Sequence, residues 1–144
     1  AGRVSRITAE QTDLLVVGAG LAGSEAALAC ARAGLSVRLV TTSLDTVYNL
    51  ALAGATVTPP EGSLLAELYG TDPVAVPTFE LHRRAKGVLE REPSLHLLQS
   101  SVSGLVVEDG RVTGVTTWEG VSRYAPLTAL CVGSFLHARL DVGT

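Results

Sequence analysis

Gly18-Ala19-Gly20-Leu21-Ala22-Gly23 sets glycines at a spacing that suits backbone contact with a phosphate better than side-chain chemistry. In a strand–turn–helix setting the first glycine of such a run permits a tight turn. The second lets the chain approach a pyrophosphate, and the third lets the helix lie close on the strand. Unpaired N–H groups and the positive end of the helix dipole would then receive the anion. The plainer alternative is a glycine-rich turn that serves packing alone. The flanking sequence favours the ligand, because the run Leu14-Leu15-Val16-Val17 leads into the glycines and an Ala-rich stretch follows them.

A dinucleotide site of this kind ordinarily holds a ribose hydroxyl with an Asp or Glu about 20 residues further on. Here that place holds Thr41-Thr42; the next acid is Asp45, and no Arg stands ready for a 2′-phosphate. Threonine hydroxyls bind ribose less strongly than a carboxylate, which weakens NAD and NADP as the tightly bound ligand without selecting FAD. Other chemistry is thinly represented. Cys30 and Cys131 lie in apolar runs and read as core. His82, His96 and His137 have no ligand spacing, so no metal site is expected. Glu25 reads as an acid that suits a helix N-terminus, and no nucleophile elbow or triad spacing occurs. His82-Arg83-Arg84-Ala85-Lys86 is the one basic cluster, read as a solvated helix face.

The elements that must position the glycines follow from periodicity. Asp13–Val17 and Ser36–Val40 read as parallel strands around a helix over Leu21–Ala33, stopped by Gly34 and apolar nearly all the way round. Together they make one βαβ unit. Ala1–Gln11 reads as a loose arm, and residues 42–77 as a long loop region with a short helix near Ser63–Tyr69. Thr78 is expected to cap a helix reaching Arg91, with Leu81, Ala85, Val88 and Leu89 on one side. Leu95–Gln99 reads as a strand. Val102–Glu108 and Val112–Trp118 flank Asp109-Gly110, a strong hairpin signal. Ser122–Tyr124 is a further short strand, and Leu127–Val132 reads as a buried one ending at Gly133. The expectation is a single α/β domain over 1–144: a three-layer, Rossmann-like nucleotide-binding fold with a parallel sheet and a small β-meander.

Composition agrees. The chain has 144 residues, 47% hydrophobic and 17% charged, which excludes disorder. A net charge of −3 is not that of a nucleic-acid binder. No run approaches a membrane span and no signal-peptide pattern opens the chain, so a cytoplasmic protein without a membrane partner is expected.

Asp13 to Ala27, the stretch from Leu39 to Thr46, Val102–Gly114 and Cys131–Leu140 resemble the glucose-inhibited division protein A family, FAD-dependent enzymes that modify the wobble uridine of tRNA. The likeness is greatest to short, GidA-related forms or to an N-terminal part. The resemblance implies FAD as cofactor, with Gly18, Ala19, Gly20, Leu21, Ala22 and Gly23 on the pyrophosphate and Thr41 and Thr42 beside the adenosine ribose. It further implies that the Val102 backbone contacts adenine and that Gly133 approaches the pyrophosphate again. Larger members carry a Cys-Asn-Pro, glycine-rich stretch where this chain has Val47–Ala55 without cysteine. No catalytic residue is therefore assigned, and tRNA binding by this chain alone is not expected. A nicotinamide reductant, an NAD(P)-dependent oxidoreductase domain and a non-catalytic nucleotide-binding module stay open as alternatives.

Overall fold

The computed structural model describes residues 12–50 and 55–133. Strand β1 (Leu14–Val17) has every residue buried, as a continuous aliphatic run with both faces covered should. Helix α1 (Leu21–Arg32) follows, then β2 (Val37–Thr41), paired parallel to β1 with Leu14 opposite Val37. A one-turn 3₁₀ helix (Leu44–Thr46) leads toward a two-stranded ribbon, β3 (Thr56–Val57) with β4 (Val74–Ala75), which encloses the short helix α2 (Leu64–Tyr69). Helix α3 (Thr78–Arg91) and β5 (Leu95–Gln99) come next. The antiparallel meander β6 (Val102–Glu108), β7 (Arg111–Thr117) and β8 (Ser122–Tyr124) follows, and β9 (Leu127–Leu130) returns to the parallel sheet. The sheet order is β5-β2-β1-β9.

Alternation along the strands sorts the core into two layers. Leu14, Val16, Val37, Leu39 and Leu95 face the helices, meeting Ala27, Leu28 and Ala31 of α1 and Leu81, Ala85 and Leu89 of α3. Leu15, Val17 and Val40 face the meander, meeting Val115 and Ala125. The three-layer α/β architecture is thus a parallel sheet between helices and a meander. Asp109 (φ 51°) and Gly110 (φ 73°) both take left-handed conformations at the β6–β7 turn, which matches strand twist in a two-residue hairpin.

Several expectations require correction. Helix α1 is one-sided: Ala22 and Ala29 are exposed while Gly23, Ser24, Ala27, Leu28 and Ala31 are buried, because small alanines are tolerated in water as readily as in a core. Thr78 does not cap α3; Pro77 holds that position and its carbonyl accepts the Leu81 N–H at 2.9 Å. Among the described residues strand β9 is the sheet's edge, not a buried strand, with Leu127 60% and Leu130 52% exposed. Cys30 and Cys131 are half-buried, packed against the helix-side core. The region 42–77 holds a 3₁₀ turn, a ribbon and α2, more structure than its sequence suggests. The expected arm 1–11 and the stretch beyond Gly133 lie outside the described residues.

Candidate functional site

The glycine run joins β1 to α1 at the carboxyl ends of the parallel strands, where open α/β sheets receive ligands. Its glycines answer different demands. Gly18 has φ +103°, and a Cβ there would stand 2.1 Å from the Cys131 carbonyl oxygen. A Cβ on Gly23 would stand 1.7 Å from the Gly18 oxygen and 3.2 Å from Cys131 Cβ. Both are required by the approach of α1 to β1 and to the chain leaving β9. Gly20 is different. Its backbone is ordinary extended chain (φ −70°, ψ −164°), and a Cβ there would meet nothing within 4 Å. Neither conformation nor packing calls for glycine at this position.

Gly20 is also the N-cap of α1. No side chain caps this end and the first turn carries no acid. The Ser24 N–H reaches the Gly20 carbonyl at 3.0 Å, while Leu21, Ala22 and Gly23 supply first-turn N–H groups that have no partner within the helix. The open face over Gly20 and these donors can accept an oxyanion, with the helix dipole adding attraction.

The loop is held rigidly. The Gly18 N–H donates to the Val40 carbonyl at 2.8 Å, and the Cys131 N–H to Val17 at 2.8 Å. The Ala19 carbonyl accepts from Ser24 Oγ at 3.1 Å and from the Tyr48 N–H at 2.8 Å. Tyr48 is 1% exposed and sits at φ 54°, a conformation costly for a bulky residue. Its phenol donates a short hydrogen bond, 2.5 Å, to Glu25 Oε1. Burial first, and then the Glu25 carboxylate, push the phenol's pKa well above the ordinary tyrosine value. The same carboxylate accepts the Leu64 N–H (2.9 Å) and the Leu65 N–H (3.3 Å), so Glu25 caps α2 and ties it to α1. His82 Nδ1 lies 2.6 Å from the Val47 carbonyl and pins the same segment to α3.

Sequence reasoning missed this clamp. Glu25 lies past the first turn of α1, so its role is not that of a dipole acid, and nothing in the local sequence links it to Tyr48. The lone tyrosine of the stretch Val47–Ala55, set among small and aliphatic residues, was the one available signal.

The other expected residues are placed as follows. Thr41 is buried at the end of β2, its Oγ1 donating to the Ser43 carbonyl (3.1 Å) and accepting the Ser43 N–H (3.3 Å). Its hydroxyl serves its own turn. Thr42 is exposed beside it. Val102 starts β6 opposite Thr117 and packs against the meander-side core. Gly133 (φ 62°) lies two residues beyond Cys131, which touches the glycine loop. The basic cluster on α3 is largely engaged: Arg84 donates to the Leu68 carbonyl and stacks on Tyr69, and Lys86 pairs with Glu90. No cluster of potential metal ligands occurs among the described residues. No helix among them is long and apolar enough to cross a membrane.

Comparison with known proteins adds a family. The sequence model described as "Glucose inhibited division protein A" matches residues 13–76 and 70–144. The tRNA uridine 5-carboxymethylaminomethyl modification enzyme of Caldicellulosiruptor saccharolyticus is 34% identical over 164 residues, covering 94% of this chain and 26% of the relative. The corresponding enzyme of Bacillus subtilis is 31% identical, over 94% of this chain and 26% of its own length. The chain thus spans about a quarter of the length of the curated relatives it matches. Alignment over 164 positions, against 144 residues here, means the relative carries internal residues without counterpart in this chain. Among solved structures, the GidA-related protein of Thermus thermophilus is 43% identical with a TM-score of 0.76, covering 87% of this chain and 54% of that one. GidA of Aquifex aeolicus, 23% identical with a TM-score of 0.77 over 88% of this chain and 26% of its own, shows the same fold.

Proposed function

The chain belongs to the glucose inhibited division protein A family, and on that premise we propose that it binds FAD through the adenosine and pyrophosphate half. Gly18 to Gly23 would hold the pyrophosphate, with Thr42, and Thr41 behind it, on the ribose side. The Val102 backbone would meet adenine, and Gly133 would close the site beside the glycine loop. One observation carries the reading: a glycine that the fold does not require, Gly20, opens onto free space at an uncapped helix N-terminus. The absence of an acid at Thr41-Thr42 weakens a nicotinamide dinucleotide as the tightly bound ligand, and the family supports FAD in its place.

Bound there, the flavin supplies electron-transfer chemistry, while the chain binds and orients its nucleotide half. The residues of the loop do so with backbone donors in a frame fixed by Ser24 and Tyr48. The relatives named as tRNA uridine modification enzymes support a role in an oxidoreductase acting on the wobble uridine, in the cytoplasm. The test is the absorbance spectrum of the purified protein, with chromatography of the nucleotide released on denaturation. FAD is the expected product; stoichiometric NAD or NADP without flavin would reject the assignment.

A further inference from the structure

Toward the other, amino-terminal end of the parallel sheet, Arg38 lies on the face that meets the meander, and Arg123 lies on the meander face that meets the sheet. Leu15 faces the meander, and the register places Arg38 and Thr128 beside it on the same face, with His96 next to Arg38. From the other layer, Arg123 stands opposite Val115, whose side chain is buried against the sheet, so Arg123 shares that inward face. Burial first, and then the charge of Arg123, lowers the pKa of Arg38, as suits two guanidiniums on facing layers.

Neither cation has a carboxylate within 4.0 Å among the described residues. The acids nearby are otherwise engaged. Asp13 accepts the Ser36 N–H at 2.8 Å, and Glu119, which feels Arg123 only weakly, accepts the Ser100 hydroxyl at 3.2 Å on both oxygens. Donor capacity is left over. Arg123 Nε and Thr128 Oγ1 are both buried with no hydrogen-bond partner among the described residues. Unsatisfied buried donors are costly, and like charges confined between layers add to that cost. A multivalent acceptor of negative charge removes both.

We propose that Arg38 and Arg123, with the Thr128 hydroxyl and His96 at the rim, bind an oxyanion of the phosphate class at a site separate from the dinucleotide loop. Planar guanidiniums suit such a ligand because each presents a fork of donors to its oxygens. The site stands on its own residues and does not depend on FAD binding.

Side-chain Nε–H spectra of the full chain test it, with inorganic phosphate titrated against chloride at matched ionic strength. The Arg38 and Arg123 signals are expected to shift saturably. Arg38→Leu or Arg123→Leu should each weaken binding about tenfold, the loss of roughly one charge-assisted hydrogen bond. Either substitution also removes a buried cation, so the dispersion of the amide spectrum serves as the check that each variant is folded. A short RNA duplex distinguishes the source: shifts at the same signals, reversed by inorganic phosphate, indicate a phosphodiester, and shifts with phosphate alone indicate a small phosphorylated solute. The proposal fails if the two arginine signals do not move with phosphate. It fails equally if only the Gly20–Gly23 amides move, or if the folded variants bind phosphate as the wild type does.

Discussion

Gly20 and Gly23 sit three residues apart and should respond in opposite ways to one added methyl group. A Cβ on Gly23 meets the Gly18 oxygen at 1.7 Å, so Gly23→Ala must push α1 off the loop. The expected cost is about 2–3 kcal/mol, the upper part of the range of roughly 1–3 kcal/mol for overpacking. Gly20→Ala meets nothing and should cost under about 1 kcal/mol, the usual penalty for alanine at an N-cap. Denaturant unfolding of both variants reads the difference, and equal losses would mean that Gly20 is also a packing glycine. Tyr48 makes a second residue-scale case. Tyr48→Phe keeps the ring and the backbone bond to Ala19 but takes one donor from Glu25, leaving its carboxylate on the α2 amides. A loss of about 1–2 kcal/mol is expected for an under-satisfied, partly buried acceptor, with weaker FAD binding because the loop's support loosens. A variant as stable as the wild type would show the clamp to be idle.

Elements defined by local chemistry were legible in the sequence; those defined by distant partners were not. Asp109-Gly110 announced the β6–β7 hairpin because both turn residues must adopt positive φ, a requirement written in two adjacent positions. The β1–loop–α1 unit was legible because an aliphatic run, a glycine spacing and Gly34 (φ +102°) each mark a boundary. The ribbon of Thr56–Val57 with Val74–Ala75 was not, since so short a pairing exists only through its surroundings. The two stretches matched to the family, 13–76 and 70–144, overlap at 70–76, a span that contains Val74–Ala75 of that ribbon. Contact between α1 and α2 likewise depends on residues far apart in sequence. Arg32 donates to Glu67 at 2.7 and 3.1 Å, and the guanidinium holds the Glu67 carboxyl below its usual value. A carboxylate with a depressed folded pKa stabilises above its unfolded value and loses that contribution as pH falls through the folded one. Both side chains are nearly half exposed, so solvent screening limits the pair to about 0.5 kcal/mol. Glu67→Gln should therefore be slightly less stable than wild type at neutral pH, the difference shrinking as pH falls below the usual carboxylate range. A difference that persists into acid would assign the effect to something other than the ion pair.

At the scale of the whole molecule, the sheet divides the chain's chemistry between its two ends. The carboxyl end gathers the glycine loop, Thr41-Thr42, the Tyr48 clamp and the turn at Gly133, which together suit a dinucleotide. Toward the amino end lies Arg38, with Arg123 on the facing side of the meander. The placement of the glycine site was legible because a βαβ unit can bring its first turn to only one edge of a parallel sheet. The arginine pair was not legible, since Arg38 and Arg123 meet only through the packing of meander on sheet. The exposed edge strand β9 escaped as well, because Leu127 and Leu130 have the composition of a core strand whatever covers them. On the proposed function, the carboxyl end binds FAD by its pyrophosphate over Gly20. Calorimetric titration of FAD into the wild type and into Gly20→Val tests it most directly. Saturable binding to the wild type, lost in a variant that stays folded, is the expected result. FAD affinity unchanged in folded Gly20→Val, or no binding by the wild type, would contradict it.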